Sequence, residues 1–274
     1  MKASEFFGRT SLTAKSLVKI VLQSHASDTV SRARGGRLVV MGNGPSLADT
    51  IAESSAVLKA TDTMSVNFAP LTAEFFTIRP RYHILADPIF FATEPQRRVT
   101  DMCAALERVD WPLTLFVPSR GVRRIPAAVM ANTNISTARF NFVGVGGYEW
   151  FENAAYNRGW GMPRPRNVLI PALMCGIRAG YEQIDIVGAA HTWTRTLTVG
   201  NDNRVYSVQP HYYDKDKHTD VAPFAGHIDD ILESFMIAFR SYHTLRRYAD
   251  HVGVSIYNAT PGSFIDAFER RELT

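Results

Sequence analysis

Four polar side chains follow four separate apolar runs in this sequence. Asn43 comes after "RLVVMG", Asn67 after "TMSV", Asp87 after "RYHILA" and His191 after "IDIVGAA". Amides, a carboxylate and an imidazole can together bind hydroxyl and phosphate groups and accept a proton. If the runs are neighbouring parallel strands, their carboxyl ends meet at one edge of a sheet, where ligands bind. The pattern therefore predicts a small-molecule site at that edge.

The turn "GNGPSL", which contains Gly42, Gly44 and Ser46, is a candidate anion-binding turn at the start of a helix. Helix N-termini favour negative charge, and glycines allow close approach of the backbone. The turn lacks the third glycine of the dinucleotide fingerprint and the lysine of a P-loop. Pro45 also removes one N–H donor. By itself, the turn indicates only that the backbone and Asn43 can approach a polar group.

The elements that must position these residues alternate between strands and helices. The apolar runs predict strands over 37–44, 63–70, 81–91, 113–119 and 183–193. Helical periodicity and breakers predict helices over 47–58, 95–108, 167–181 and 228–253, followed by a strand, a turn and a short helix. The predicted fold class is α/β, a Rossmann-like, mostly parallel sheet with helices on both faces and an inserted lid region.

The chain divides into an N-terminal extension and one larger domain. Residues 1–36 contain a basic amphipathic stretch, "SLTAKSLVKIVLQSH", which predicts a helical extension. We expect it to pack on the body of the protein, with docking on an anionic membrane face as the alternative. Residues 37–274 are predicted to form a single domain, with lid or acceptor insertions around 120–166 and 194–226.

Composition and charge exclude some functions. The net charge of +4 is too small to distinguish among an anionic substrate, a nucleic acid and a membrane surface as the partner. The sequence has no basic stripe with stacking aromatic residues, which would indicate nucleic-acid binding. Cys103 and Cys175 have neither disulfide-framework nor zinc-ligand spacing. No apolar run is long enough to span a membrane, and no signal-peptide pattern is present. We expect a cytoplasmic protein, and leave open peripheral association with the inner membrane and a homo-oligomer.

Taken in order, the motifs resemble those of bacterial sialyltransferases that use CMP-sialic acid. Those enzymes carry GNGPSL, a "CNxF"-like segment and "NPxxFF", and this chain has GNGPSL, "VNF" and "DPIFF". Their later "GYKEI" turn and strand ending in Gly-Ile-Asp correspond to "GYEQIDIVGAA", and "LYCLCPNSLLANFIE" corresponds to "IYNATPGSFIDAFER". The resemblance covers 37–92 and 167–270. The GNGPSL opening is also shared with a broader family that includes archaeal pterin diphosphokinases.

The resemblance implies that 37–274 is a nucleotide-binding, glycosyltransferase-like domain that needs no metal. Asn43 and Asn67 match asparagines that contact the cytidine monophosphate part of the donor, beside the glycines and Ser46 of the turn. Asp87 matches an asparagine near the donor sugar. A second carboxylate there would repel the carboxylate of a sialyl donor. We therefore expect a donor sugar other than sialic acid.

Other site residues follow from the same resemblance. Ala190 stands where the related strand ends in aspartate, so either the site is built differently or an acid has been lost, naturally or by engineering. A histidine suits the role of general base for the acceptor hydroxyl. His191 and His211 are equal candidates and His227 is the third. The tyrosines expected to bind the leaving phosphate are Tyr206, Tyr212 and Tyr213.

The predicted function is transfer of a sugar from an activated sugar phosphate, expected to be a nucleotide sugar, to a glycan or glycolipid acceptor. That acceptor would belong to a surface polysaccharide or lipooligosaccharide, and no cofactor is expected. Three alternatives remain. His211, Asp214 and Asp216 could bind Mg²⁺ or Mn²⁺. A diphosphotransferase of the pterin kinase type would use ATP and Mg²⁺ on Asp87, Asp214 and Asp216. A non-catalytic nucleotide-binding protein would follow if Ala190 replaces the only acid.

Overall fold

The computed structural model describes residues 3–30, 36–207 and 226–274, and its centre is a parallel β-sheet. The strands are β1 (Arg37–Met41), β2 (Asp62–Val66), β3 (Tyr82–Ile84), β4 (Leu113–Pro118), β5 (Ile135–Phe140), β6 (Gln183–Val187), β9 (Ser255–Asn258) and β10 (Glu269–Arg270). They lie in the order β10-β9-β6-β1-β2-β3-β4-β5, and every neighbouring pair is parallel. A separate antiparallel hairpin consists of β7 (Thr198–Val199) and β8 (Val205–Tyr206).

Helices cover both faces of this sheet. They are α1 (Ala3–Gln23), α2 (Ser46–Ala60), α3 (Ala73–Ile78), α4 (Arg97–Glu107), α5 (Ala127–Ala131), α6 (Glu149–Asn157), α7 (Leu169–Arg178) and α8 (Ile228–His251). The alternation of side chains along β1 explains the two layers, because successive strand residues point to opposite faces. Leu38 and Val40 belong to a core that includes α7 and α8, whereas Val39 and Met41 pack with α2. The predicted α/β, Rossmann-like architecture is confirmed.

The order of the strands creates a crevice at one point of the sheet. From β1 the chain builds outward through β2, β3 and β4 to β5, and then returns to place β6 on the other side of β1. Where the strand order reverses, the loops that follow the two central strands lead away from each other, to opposite sides of the sheet. A crevice therefore opens beyond the carboxyl ends of these strands. In this chain the crevice lies between the exits of β1 and β6.

Two local predictions were wrong. The stretch 120–166 was expected to be irregular, but it contains α6 and the edge strand β5. The sequence of β5, "ISTARF", is hard to recognise because its buried positions, Ile135, Ala138 and Phe140, are interrupted by polar residues. The chain was expected to end in a short helix, but β10 lies there instead. The adjacent Arg271 donates to the buried Asp185, a tertiary contact that local propensity does not reveal.

The N-terminal extension packs on the body through one face of α1. Ser16 donates its hydroxyl to the carbonyl of Gly146 at 2.7 Å, and Ile20 is buried in the main core. The segment after the helix continues across the exits of β4 and β5. There the carboxylate of Asp28 accepts two hydrogen bonds from the guanidinium of Arg139, and this contact lowers the pKa of Asp28. The extension is thus anchored beside the carboxyl edge of the sheet.

Candidate functional site

A cleft of about 980 Å³ opens at the crevice between the exits of β1 and β6. Its volume is at the upper end of the range of about 300–1,000 Å³ that is usual for small-molecule sites. The predicted site residues that line it are Gly42, Asn43, Gly44, Ser46, Asn67, Asp87, Ala190 and His191. Four strand ends that are far apart in the sequence therefore contribute to one cavity.

The side chains of the strand-end residues bind the neighbouring strands. The amide nitrogen of Asn43 donates to the carbonyl of Val66 at 3.2 Å, and the amide oxygen of Asn67 accepts from the backbone N–H of Ala86 at 3.4 Å. Asp87 accepts from the N–H of Ile89 at 3.0 Å and thereby caps a short 3₁₀ turn. These bonds hold the edge together and fix the side chains that face the cleft.

The glycines of the GNGPSL turn have a role that the sequence did not indicate. The N–H of Gly42 donates to the carbonyl of Val187 at 2.8 Å, and the N–H of Gly44 donates to the carbonyl of Gly188 at 2.7 Å. A Cβ atom on Gly42 would lie 2.5 Å from the oxygen of Gly188, so the two exits approach more closely than a side chain allows. Because both N–H groups are occupied, they cannot donate to a phosphate.

Unpartnered polar atoms are concentrated in this cleft. Among the described residues, the buried side-chain atoms without a hydrogen-bond partner are Asn43 Oδ1, Ser46 Oγ, Asn167 Nδ2 and His83 Nε2. His83 lies within the sheet, but the other three residues line the cleft. Buried polar groups in native proteins are nearly always satisfied, by protein, water or a ligand. A polar ligand with both donors and acceptors fits this set of atoms.

His191 lines the cleft in a constrained conformation. Its φ of +50° is in the left-handed region, which costs a residue other than glycine on the order of 1–3 kcal/mol. The imidazole lies 4.1 Å from the ring of Trp193 and 5.7 Å from that of Tyr242, between centroids. Burial lowers the pKa of His191 to about 3. The ring is therefore neutral at physiological pH.

A chain of hydrogen bonds can orient this imidazole. The hydroxyl of Tyr242 donates to Asn167 Oδ1 at 3.1 Å and lies 3.3 Å from His191 Nδ1. Burial raises the pKa of Tyr242, so the phenol keeps its proton. Because that one proton is donated to Asn167, the phenol oxygen can accept only from an Nδ1–H. In that tautomer, Nε2 of His191 carries the lone pair and can act as a base.

Aromatic and charged side chains complete the walls. Trp193 lies 5.1 Å from Phe235 at an interplanar angle of 31°, so the two rings and His191 form a continuous aromatic surface. Arg166 and Arg195 also line the cleft. Flat apolar rings suit the face of a sugar or a base, and guanidinium groups suit phosphate.

Sequence reasoning missed several of these residues. Asn167 precedes α7, and Tyr242 and Phe235 belong to α8. Arg166 is in a loop, and Arg195 is in a short 3₁₀ helix, Trp193–Thr196. Nothing in the local pattern distinguishes a helix residue that faces a cleft from one that faces the core. The one available signal was the polar pair Arg166-Asn167 directly before a long apolar helix.

Other predicted residues are found elsewhere. The backbone N–H of His227 donates to Asp230 Oδ2 at 3.2 Å, and this exposed residue is the N-cap of α8. The hydroxyl of Tyr206 donates to Asp202 at 2.7 Å, which raises the pKa of Tyr206. Neither residue is among the described residues that line the cleft. His211, Tyr212 and Tyr213 lie outside the described ranges.

The metal alternative receives no support from the described residues. Within them, no group of three or more His, Cys, Asp or Glu side chains could hold a metal ion, while Asp214 and Asp216 lie outside. Independence from metal stays a prediction. Burial raises the pKa of Cys175 to about 12, so this thiol is a poor nucleophile. No helix in the described part of the chain has the length and hydropathy to cross a bilayer.

Comparisons with known proteins bear on the fold. No protein-family model matches the chain, and no curated protein matches it either. Among solved structures, the chain is similar to a MAf glycosyltransferase from Magnetospirillum magneticum AMB-1, with a TM-score of 0.53 and 10% sequence identity. The likeness covers 100% of this chain but only 39% of the length of the other. At this identity the likeness shows a shared fold, and the Rossmann-like sheet described above is that fold.

Proposed function

We propose that this protein is a glycosyltransferase that moves a sugar from a nucleotide sugar to a glycan or glycolipid acceptor of a surface polysaccharide or lipooligosaccharide. The observation that carries the proposal is the cleft at the strand-order reversal, where the imidazole of His191, oriented by Tyr242, lies in one cavity with residues whose buried polar atoms have no partner. The motif resemblance to sialyltransferases and the fold shared with a MAf glycosyltransferase support the same reaction class.

The donor nucleotide would bind along the exits of β1 and β2. Two buried atoms without a partner would bind its base and ribose: Asn43 Oδ1 would accept a hydrogen bond, and the hydroxyl of Ser46 would donate or accept one. The phosphates would lie toward the first turn of α2, whose N-terminus favours anions, and toward Arg166 or Arg195. The sugar would lie near Asp87, whose carboxylate accepts from hydroxyl groups and disfavours a sialyl carboxylate.

The chemistry requires a base on the acceptor side. Nε2 of His191 would take the proton of the acceptor hydroxyl while the oxygen attacks the anomeric carbon. The bond between that carbon and the phosphate oxygen breaks, and the nucleotide leaves with the electron pair. The Tyr242–Asn167 pair would hold the imidazole in the productive tautomer, and Trp193 would support its ring. No metal is required by this scheme.

Ligand binding measured by thermal shift tests the substrate class. The protein would be screened with CMP-, UDP- and GDP-sugars, ATP and a phosphoribosyl donor, each with and without Mg²⁺. We expect stabilisation by one nucleotide sugar without metal. Stabilisation only by ATP with Mg²⁺ would overturn the proposal and favour the diphosphotransferase.

Turnover of the variant His191→Asn tests the reaction. Asparagine tolerates a positive φ, so the backbone at this position can be kept. We expect the variant to bind the donor as the wild type does but to release nucleotide to an acceptor about 10²–10⁴ times more slowly, as expected for loss of a general base. Equal turnover would exclude His191 as the base.

A further inference from the structure

The face of α1 that points away from the body is apolar, and no described part of the chain covers it. The side chains that form this outward face are 46–74% exposed, and they are Phe6, Phe7, Leu17, Val18, Val21 and Leu22. Large apolar side chains are exposed singly on most proteins, but a contiguous group usually marks an interaction site. These six belong to a single helix.

Helix geometry places these residues on one arc. At about 100° per residue, the outward face covers the side of α1 opposite Ser16 and Ile20, which are buried against the body. Lys15 and Lys19, both exposed, lie at one border of the arc. Glu5 lies outside the arc and pairs with Arg9 at 3.0 Å. The arc is thus apolar at its centre and basic at its border.

The end of α1 is also basic. Arg120 donates to the carbonyl of Leu22 at 3.0 Å and to the imidazole of His25 at 3.1 Å. Arg123 and Arg124 follow in the same exposed turn. The positive charges of the lysines therefore continue past the last turn of the helix.

From this arrangement we infer that the outward face of α1 binds an anionic lipid surface, with the helix lying in the plane of the interface. Such helices bury apolar side chains at the headgroup boundary, while lysines extend their stems along the apolar surface and keep the ammonium groups among lipid phosphates. The charge argues against a second copy of this chain as the occupant. The basic border favours an anionic partner over a second copy, which would carry the same positive charges.

The position of α1 relates this surface to the cleft. The side chain of Asn141 accepts from the N–H of His25 at 2.9 Å and donates to its carbonyl at 2.8 Å. The next residue, Phe142, lines the cleft. A membrane at α1 would therefore lie near the cleft, where a lipid-linked molecule could reach it. The lipid binding itself does not depend on any catalytic activity.

Vesicle co-sedimentation tests the inference directly. The full chain would be mixed with vesicles of phosphatidylcholine alone or of equimolar phosphatidylcholine and phosphatidylglycerol. We expect pelleting only with the anionic vesicles. The variant Val18→Glu/Val21→Glu should not pellet, and Lys15→Gln/Lys19→Gln should bind roughly thirtyfold more weakly, since each lysine near an anionic surface contributes a factor of about five.

The matched control is Leu71→Glu/Met130→Glu, which adds the same charge at two exposed apolar residues outside α1. It should bind as the wild type does. Circular dichroism would establish that each variant is folded. Absence of wild-type binding to anionic vesicles, or unchanged binding of Val18→Glu/Val21→Glu, would overturn the inference. A wild-type dimer that dissociates in the same variant would assign the face to a second copy instead.

Discussion

Buried polar groups have hydrogen-bond partners around Asp185 in the sheet, whereas several in the cleft at the sheet's carboxyl edge have none. Asp185 has a fully buried side chain, and its two oxygens accept from Arg37 Nε and Arg271 Nε, each at 2.6 Å. In the cleft, Asn43 Oδ1 and Asn167 Nδ2 are buried without a partner. A satisfied cluster serves stability, whereas unsatisfied atoms in an open cavity indicate a place for a ligand. The contrast distinguishes polar residues that are satisfied within the fold from those that we propose bind the donor.

The largest expected effect comes from breaking the satisfied cluster. Asp185→Asn removes the charge that two guanidinium groups share, and leaves both without their buried partner. Removal of one partner from a buried pair typically costs about 3–5 kcal/mol. We expect the free energy of unfolding, measured by urea titration, to fall by that amount, while folded protein keeps its affinity for the nucleotide sugar.

An exposed pair provides the control for that measurement. Arg79 and Asp110 lie 2.9 Å apart with side chains 50% and 75% exposed. Asp110→Asn should cost less than about 1 kcal/mol, because solvent screens the pair. If Asp185→Asn and Asp110→Asn reduce the free energy of unfolding equally, the buried Asp185 cluster does not stabilise the fold more than an exposed ion pair does.

A smaller effect is expected from Asn43→Ala in the cleft. The substitution removes one hydrogen bond to Val66, worth about 1 kcal/mol of stability, and the unpartnered oxygen that would contact the donor. We expect the affinity for the nucleotide sugar to fall by about 10–100-fold, as for loss of a buried polar contact. Calorimetry would measure it.

Asn132→Ala is the matched variant on the structural side. The amide of Asn132 donates to the carbonyls of Glu107 at 3.2 Å and of Val109 at 2.9 Å, and the residue is not among those lining the cleft. It should reduce stability and leave nucleotide affinity unchanged. Equal affinity of Asn43→Ala and the wild type would place the donor elsewhere.

The sequence predicted the cleft better than it predicted the chemistry within it. Asn43, Asn67, Asp87 and His191 were recognisable because each follows an apolar run, and parallel strands bring their ends to one edge. The use of Gly42 to pack two strand exits was not recognisable, because it depends on the position of Gly188 in space. The local sequence pattern therefore predicted the carboxyl edge of the sheet. It did not predict which backbone N–H groups of the turn form hydrogen bonds within the protein.

Contributions from distant helices were also hidden. Tyr242 and Phe235 lie on α8, where helical periodicity marks them only as apolar positions. Their contact with His191 and Trp193 follows from how α8 crosses the carboxyl edge. Similarly, β5 was missed because an edge strand of mixed polarity lacks the apolar run that identified the central strands.

The last expected effect concerns the protonation of His191. Its pKa in the folded protein is lowered by burial from 6.5 to about 3, so between these values the unfolded chain binds a proton that the folded chain does not. The stabilising contribution of the neutral ring is therefore complete above pH 6.5 and is lost as the pH falls toward 3. His83 adds a contribution of the same sign, because burial lowers its pKa to about 3 as well.

The variant His191→Asn isolates the contribution of the cleft. Between pH 6.5 and 4, we expect the slope of unfolding free energy against pH to decrease by up to about 1 kcal/mol per pH unit. This is less than the slope for uptake of one whole proton, because the side chain of His191 is only partly buried. Urea titrations across this range measure the slope. An unchanged slope in His191→Asn would mean that the imidazole is already protonated in the folded cleft at these pH values. His191 would then be a charged group stabilised by its surroundings, as Asp185 is, and not a neutral base. The difference between the sheet and the cleft would not hold for His191.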